Sequence, residues 1–93
     1  MKLNKRIHSF KLNHFVGNKF KIHIYDGFKL LYIECIHNEY YLHCEVDINK
    51  PIVTKKIAIF NTNEELDLEY YYKHLISIKA DNSTIKHFYE CIL

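Results

Sequence analysis

Ninety-three residues make one domain and leave no room for a catalytic domain beside a regulatory one. Eight Tyr and six Phe against two Gly and one Pro describe a chain that packs through large rings, and exclude a disordered or loop-dominated one. The net charge of +2 is only weakly positive, which favours a protein partner over nucleic acid without excluding the latter.

That charge is unevenly spread. Residues 1–29 carry seven Lys or Arg against the single acid Asp26, a local excess of +6 that leaves −4 for the remainder. Such asymmetry steers association with a charged partner. No apolar run approaches membrane-spanning length, and "MKLNKRIHSF" lacks the apolar stretch of a signal peptide, so the expectation is a soluble cytoplasmic chain with no membrane partner. Cys35, Cys44 and Cys91 are odd in number and contain no CxxC, which predicts reduced thiols and neither a disulfide framework nor a zinc ribbon.

In chain order, "KRIHSFKL" (5–12) makes a weak first strand. "KFKIHIY" (19–25) alternates cleanly, with Phe20, Ile22 and Ile24 on one side and Lys19, Lys21 and His23 on the other, the period of a half-buried strand. Asp26-Gly27 is a hairpin-turn signal, since Gly accepts positive φ. The next strand runs from Lys29 to His37. Within "LLYIECIHNEYYLHCEVD" (30–47), a two-residue turn at Asn38-Glu39 sets His37 opposite Tyr40. One face then carries Leu31–Val46, Ile33–Cys44 and Cys35–Leu42; the other carries Tyr32–Glu45, Glu34–His43 and Ile36–Tyr41. This register aligns the apolar rows and predicts Leu31, Ile33, Leu42, Cys44 and Val46 as buried.

The same geometry speaks against a metal site in that hairpin. Cys35 and Cys44 sit diagonally at roughly 7–8 Å, beyond co-ligation distance, and His43 projects from the opposite face. Buried cysteines acting as small hydrophobes account for both.

Three more strands follow: "PIVTKKIAIFN" (51–61), opening on a Pro permitted at a strand's first position; "YYYKHLISIKA" (70–80), alternating through Tyr72, Ile76, Ile78 and Ala80; and "TIKHFYECIL" (84–93), after turn chemistry at Asp81-Asn82-Ser83. Thr62 and Glu65 have capping-box spacing, which predicts a short helical turn near residues 63–70. The whole reads as an all-β domain of about seven strands, an antiparallel sheet folded as a barrel or sandwich.

No phosphate-binding loop, HExxH or GxSxG motif is present, and Ser9, Ser77 and Ser83 lack a nucleophile-elbow setting. His87 and Cys91 lie two pleats apart, about 13 Å along a strand, too far for a thiol and its base. The expectation is a protein without catalytic residues or cofactors. Two surfaces compete as binding sites. The first joins Glu64, Glu65, Asp67 and Glu69 to Tyr71, whose ring should face away from Tyr70 and Tyr72 into solvent; exposed tyrosine beside acids suits a protein hot spot, and the carboxylates can mimic phosphates. The alternative is Lys19, Lys21, His23 and Tyr25, a basic row with a ring for stacking, suited to nucleic acid. An exposed strand edge is the route open to a homo-oligomer.

"IHSFKL", the 30–47 hairpin with His43 at a position usually held by Trp, Asn61-Thr62-Asn63, and the closing Lys86, His87, Phe88, Tyr89 and Glu90 together resemble a family of small uncharacterised phage proteins. The resemblance implies a compact all-β protein of the host-cell cytoplasm with no assigned catalytic residues. In that setting the expected function is a non-enzymatic inhibitor of a host defence system, an anti-CRISPR or related factor that binds a host protein such as a defence nuclease. Nucleic-acid binding is the alternative, and sequestration of a nucleotide signal a third.

Overall fold

The computed structural model describes residues 4–67, 70–80 and 84–92. Its strands are β1 (Lys5–Lys11), β2 (Asn13–Val16), β3 (Lys19–Tyr25), β4 (Lys29–Ile36), β5 (Glu39–Asp47), β6 (Ile52–Asn61), β7 (Tyr71–Lys79) and β8 (Ile85–Ile92). They form two antiparallel sheets, one ordered β1-β5-β4 and one ordered β2-β3-β6-β8-β7. The fold is therefore all-β and sandwich-like, not a closed barrel. Among the described residues no helix is long and apolar enough to cross a membrane.

Among the described residues eight strands form where about seven are expected. The additional one, β2, is only four residues long and exposed throughout, so it has no apolar alternation to betray it. Its turn does leave a mark. Gly17-Asn18 joins β2 to β3 with Gly17 at φ +56, and Gly-Asn is a recognised hairpin dipeptide.

The core lies between the sheets. Ile33, Leu42, Cys44 and Val46 from the three-stranded sheet meet Ile22, Ile24, Ile57, Ile59 and Phe88 from the five-stranded one, with Leu12 buried where β1 bends into β2. Four of the five residues expected to be buried in the hairpin are so. Leu31 is the exception at 41% exposed, because the β4–β5 register shifts between Leu30 and Tyr32 and Leu31 becomes the extra residue of a bulge.

The hairpin register also differs from expectation by two residues. Ile36 faces Glu39 and Ile33 faces Leu42, so the turn is His37-Asn38. Both turn residues have positive φ, +51 and +65, as a tight hairpin of matching twist requires, and Asn tolerates that region far better than Glu. A two-residue shift preserves facing, which is why the apolar rows still align. Glu34 and His43 become diagonal neighbours and keep their contact at 3.3 Å.

Two turns behave differently from their sequence signals. Gly27 takes φ +74 as expected, but β3 and β4 do not pair; the turn carries the chain between sheets, and Asp26 N–H donates to Pro51 O at 2.8 Å. The helical turn expected over 63–70 is absent from residues 63–67 and 70, while 68 and 69 lie outside the described residues. Asn61 N–H donates to Glu64 Oε1 at 2.9 Å and Glu64 N–H donates back to Asn61 O at 3.1 Å, so the reciprocal bonding sits one residue ahead of Thr62–Glu65. Asn63 at φ +73 then turns the chain out of helical geometry. The Asp81-Asn82-Ser83 turn lies outside the described residues.

A bulge in β7, between His74 and Ile76, breaks that strand's alternation. Tyr72 pairs with Cys91 and His74 with Tyr89, whereas Ile76 pairs with Phe88. Tyr72 and His74 therefore occupy the outer face of the five-stranded sheet, and Ile76 and Ile78 pack toward the core.

Cys44 is fully buried and its thiol is pushed up to about 12 by burial alone. Alkylation at mildly alkaline pH should modify Cys44 only in unfolded protein, as read by peptide mass spectrometry. Labelling of Cys44 in native protein as fast as the half-buried Cys35 would contradict this packing.

Candidate functional site

The outer face of the five-stranded sheet brings chemistry together that the chain keeps apart. Registers across four strands place Lys21, Lys56, Cys91 and Tyr72 in one row, and Lys19, Ala58, Tyr89 and His74 in the next. Because β6 and β7 both run antiparallel to β8, they are parallel to one another, and the connection after Asn61 must return along the sheet to reach Tyr71. This connection accounts for burial on what would otherwise be a solvated face. Ala58 and Phe60 are buried there, apart from the core between the sheets.

Lys19 is the clearest consequence. Expected in a solvent-facing basic row, it is only 9% exposed. Its Nζ lies 5.6 Å from the Phe60 ring centre and 5.8 Å from those of Tyr70 and Tyr72. The same Nζ donates to Asp67 Oδ2 and to Asn18 Oδ1, each at 2.9 Å. Tyr72 O–H donates to the other Asp67 oxygen at 2.7 Å. A cation placed among ring faces and bound to a carboxylate can leave water without being orphaned. Lys19 is thus an enclosed cation bound to Asp67 and Asn18, and not part of a solvent-facing row.

Lys21 and Lys56 remain available. Lys21 Nζ stands 4.1 Å from the centre of the Phe15 ring; Lys56 Nζ stands 5.5 Å from the same ring and 5.3 Å from that of Tyr70, whose hydroxyl accepts from it at 3.2 Å. Among the described residues neither ammonium is in an ion pair. They border an open recess of about 390 Å³ that also includes Thr54, Tyr70 and Cys91. Glu90 is the acid on its wall, and Lys55 engages it at 3.7 Å. Burial raises the Cys91 thiol above its ordinary range, partly offset by the nearby Lys19, so it is no ready nucleophile. The other members of the basic row divide. His23 is exposed, with Nδ1 3.0 Å from Thr54 Oγ1, while Tyr25 packs against the core and lies edge-on to His8.

Of the acidic–tyrosine set, Glu64, bonded to Asn61, and Tyr71 stand at different ends of the sheet. Tyr71 is 80% exposed, as expected from its neighbours. It pairs with Ile92 at one end of β8, however, while Asn61, next to the acidic segment, pairs with Lys86 near the other. Six residues of strand separate those levels, about 20 Å. Glu64 and Glu65 are exposed, Asp67 turns inward to Lys19 and Tyr72, and Glu69 lies outside the described residues.

One cluster escaped the sequence altogether. His74 Nε2 lies 2.8 Å from Ser77 Oγ, Ser77 Oγ lies 2.7 Å from His87 Nδ1, and His87 Nε2 lies 2.9 Å from Thr62 Oγ1. A regular strand would turn His74 and Ser77 to opposite faces. Only the β7 bulge unites them, and nothing in "KHLISIK" announces a bulge. Among the described residues no three His, Cys, Asp or Glu side chains group as a metal centre.

Comparison with protein families, curated proteins and solved structures gives no match, so it has no bearing on the resemblance to small phage proteins.

Proposed function

We propose that this protein is a non-catalytic binding module that receives single-stranded nucleic acid on the outer face of its five-stranded sheet. The observation that supports this reading is the pair Lys21 and Lys56, two ammonium groups without carboxylate partners among the described residues, set against the Phe15 ring. Phosphates seek such cations, and an exposed ring beside them offers a stacking surface that accepts any base. Phe15 is 49% exposed, so about half of the residue is within reach of a base.

Fluorescence anisotropy of a labelled oligonucleotide at several salt concentrations tests the proposal. Two neutralised phosphates correspond to a slope of log affinity against log salt of about −1.4. The double variant Lys21→Gln, Lys56→Gln is expected to flatten that slope and to weaken binding at low salt by roughly tenfold or more. A variant that binds like the parent would remove this face from consideration.

A second reading has its own support. Tyr71, 80% exposed, pairs across strands with Ile92, 42% exposed, an aromatic–aliphatic couple of the kind that anchors protein contacts. It fits the phage-type inhibitor of a host defence enzyme that the sequence leads one to expect. Under this reading Tyr71→Ala abolishes partner binding with the melting temperature unchanged, whereas the Lys21, Lys56 double variant binds normally.

A further inference from the structure

We propose that His74 and His87 bind one borderline-soft divalent cation, of the zinc, nickel or copper(II) type, at the point where Ser77 now joins them. The two imidazoles already aim at a single position. His74 Nε2 and His87 Nδ1 approach Ser77 Oγ to 2.8 and 2.7 Å. His87 faces Ser77 across the β7–β8 ladder and His74 faces Tyr89, so the two histidines are diagonal neighbours on adjacent strands. Diagonal neighbours stand roughly 7–8 Å apart, a span two imidazole rings close around an ion bound at about 2.0–2.1 Å from each nitrogen.

The surroundings orient the rings as a ligand pair requires. Thr62 Oγ1 lies 2.9 Å from His87 Nε2; when that nitrogen donates to the hydroxyl, the lone pair is left on Nδ1, facing Ser77. Most metal-bound histidines make such an outer-shell hydrogen bond, usually to a carboxylate, carbonyl or water; here the Thr62 hydroxyl takes that place. His74 is held edge-on against the Tyr89 ring, with 5.1 Å between centres. With two protein nitrogens, the ion keeps positions for water or for a donor from a partner, an open and exchangeable site and not a closed structural one. The inference goes beyond the nucleic-acid reading and does not depend on it, since neither lysine of the recess takes part.

The test is titration of zinc, followed by calorimetry, and of copper(II), followed by NMR line broadening, into tag-free, metal-free protein. One equivalent is expected to bind, with broadening centred on His74, His87 and Tyr89. His74→Ala and His87→Ala should each weaken zinc binding by at least about tenfold, the scale on which even outer-shell changes act. Ser77→Ala should retain binding. Absence of saturable zinc binding into the millimolar range, broadening centred on other histidines or on a cysteine, or loss of binding in Ser77→Ala alone would each overturn the proposal. The wild-type broadening map decides the matter even where a variant fails to fold.

Discussion

Lys19→Ala should destabilise the protein by about 2–3 kcal/mol, a larger loss than substitution of an exposed lysine produces. The change removes a cation bound to Asp67 at 2.9 Å and seated 5.6–5.8 Å from three ring centres. It also deletes an aliphatic stem packed in a 9% exposed position. Breaking a fully buried pair costs about 3–5 kcal/mol, but the Asp67 side chain is 43% exposed and rehydrates once its cation is gone, which lowers the cost. For a domain of this size the melting temperature falls by roughly 10–20 °C. Lys19→Met separates the contributions, because it keeps the stem and discards the charge; full recovery in Met would assign the effect to packing alone. Lys5→Ala is the control. The Lys5–Glu45 pair spans 3.5 Å between side chains 57% and 32% exposed, and its loss should stay within about 0.5 kcal/mol. A Lys19→Ala protein that melts with the Lys5 control would mean that the aromatic enclosure does not form.

Phe88→Ala should be more damaging still, at about 3–5 kcal/mol. Phe88 is fully buried at the middle of β8, and its ring meets Tyr40 of the opposite sheet edge-on with 5.2 Å between centres. Truncation empties the space between the sheets at a point both walls share, and two sheets held by their own ladders cannot collapse into it. Total stability for such domains is roughly 5–15 kcal/mol, so much of it is lost in one step. Urea unfolding followed by tyrosine near-ultraviolet dichroism measures the effect. Phe88→Leu, which keeps most of the volume, should recover the greater part. An unchanged urea midpoint in Phe88→Ala would refute the core described above.

Strand existence and facing were legible in the chain because period-2 patterning is a local property. Ile22, Ile24, Ile33, Leu42 and Cys44 are buried as their alternation predicts. The errors arise where a single residue alters the count. Leu31 and Leu75 enter bulges, and the His37-Asn38 turn moves the hairpin by two. Lys19 is a different kind of failure. Its alternation is correct, and it does lie on the outer face; what covers that face is a connection arriving from more than forty residues away, as the 48-residue separation of Lys19 and Asp67 records. No local pattern carries that information. The Ser77 cluster needs both a bulge and the neighbouring strand, so it was doubly hidden. Asp67 is the practical lesson: its inward bonds make Asp67→Ala a stability variant, unsuited to testing surface acidity.

The strand order β2-β3-β6-β8-β7 has a bearing on how the molecule comes together in time. Among the described residues β7 pairs only with β8, the last strand in chain order, and β8 must slot between β6 and β7. Until β8 reaches it, β6 presents a bare edge to any passing strand. Joining β8 to β6 closes a loop of 24 residues between Asn61 and Lys86, an entropic cost that slows this step relative to neighbouring hairpins. The expectation is that β7 and β8, neighbours in the chain, join first as a hairpin and dock on β6 afterwards. Crowded synthesis of this chain would favour mispairing at β6 during that interval.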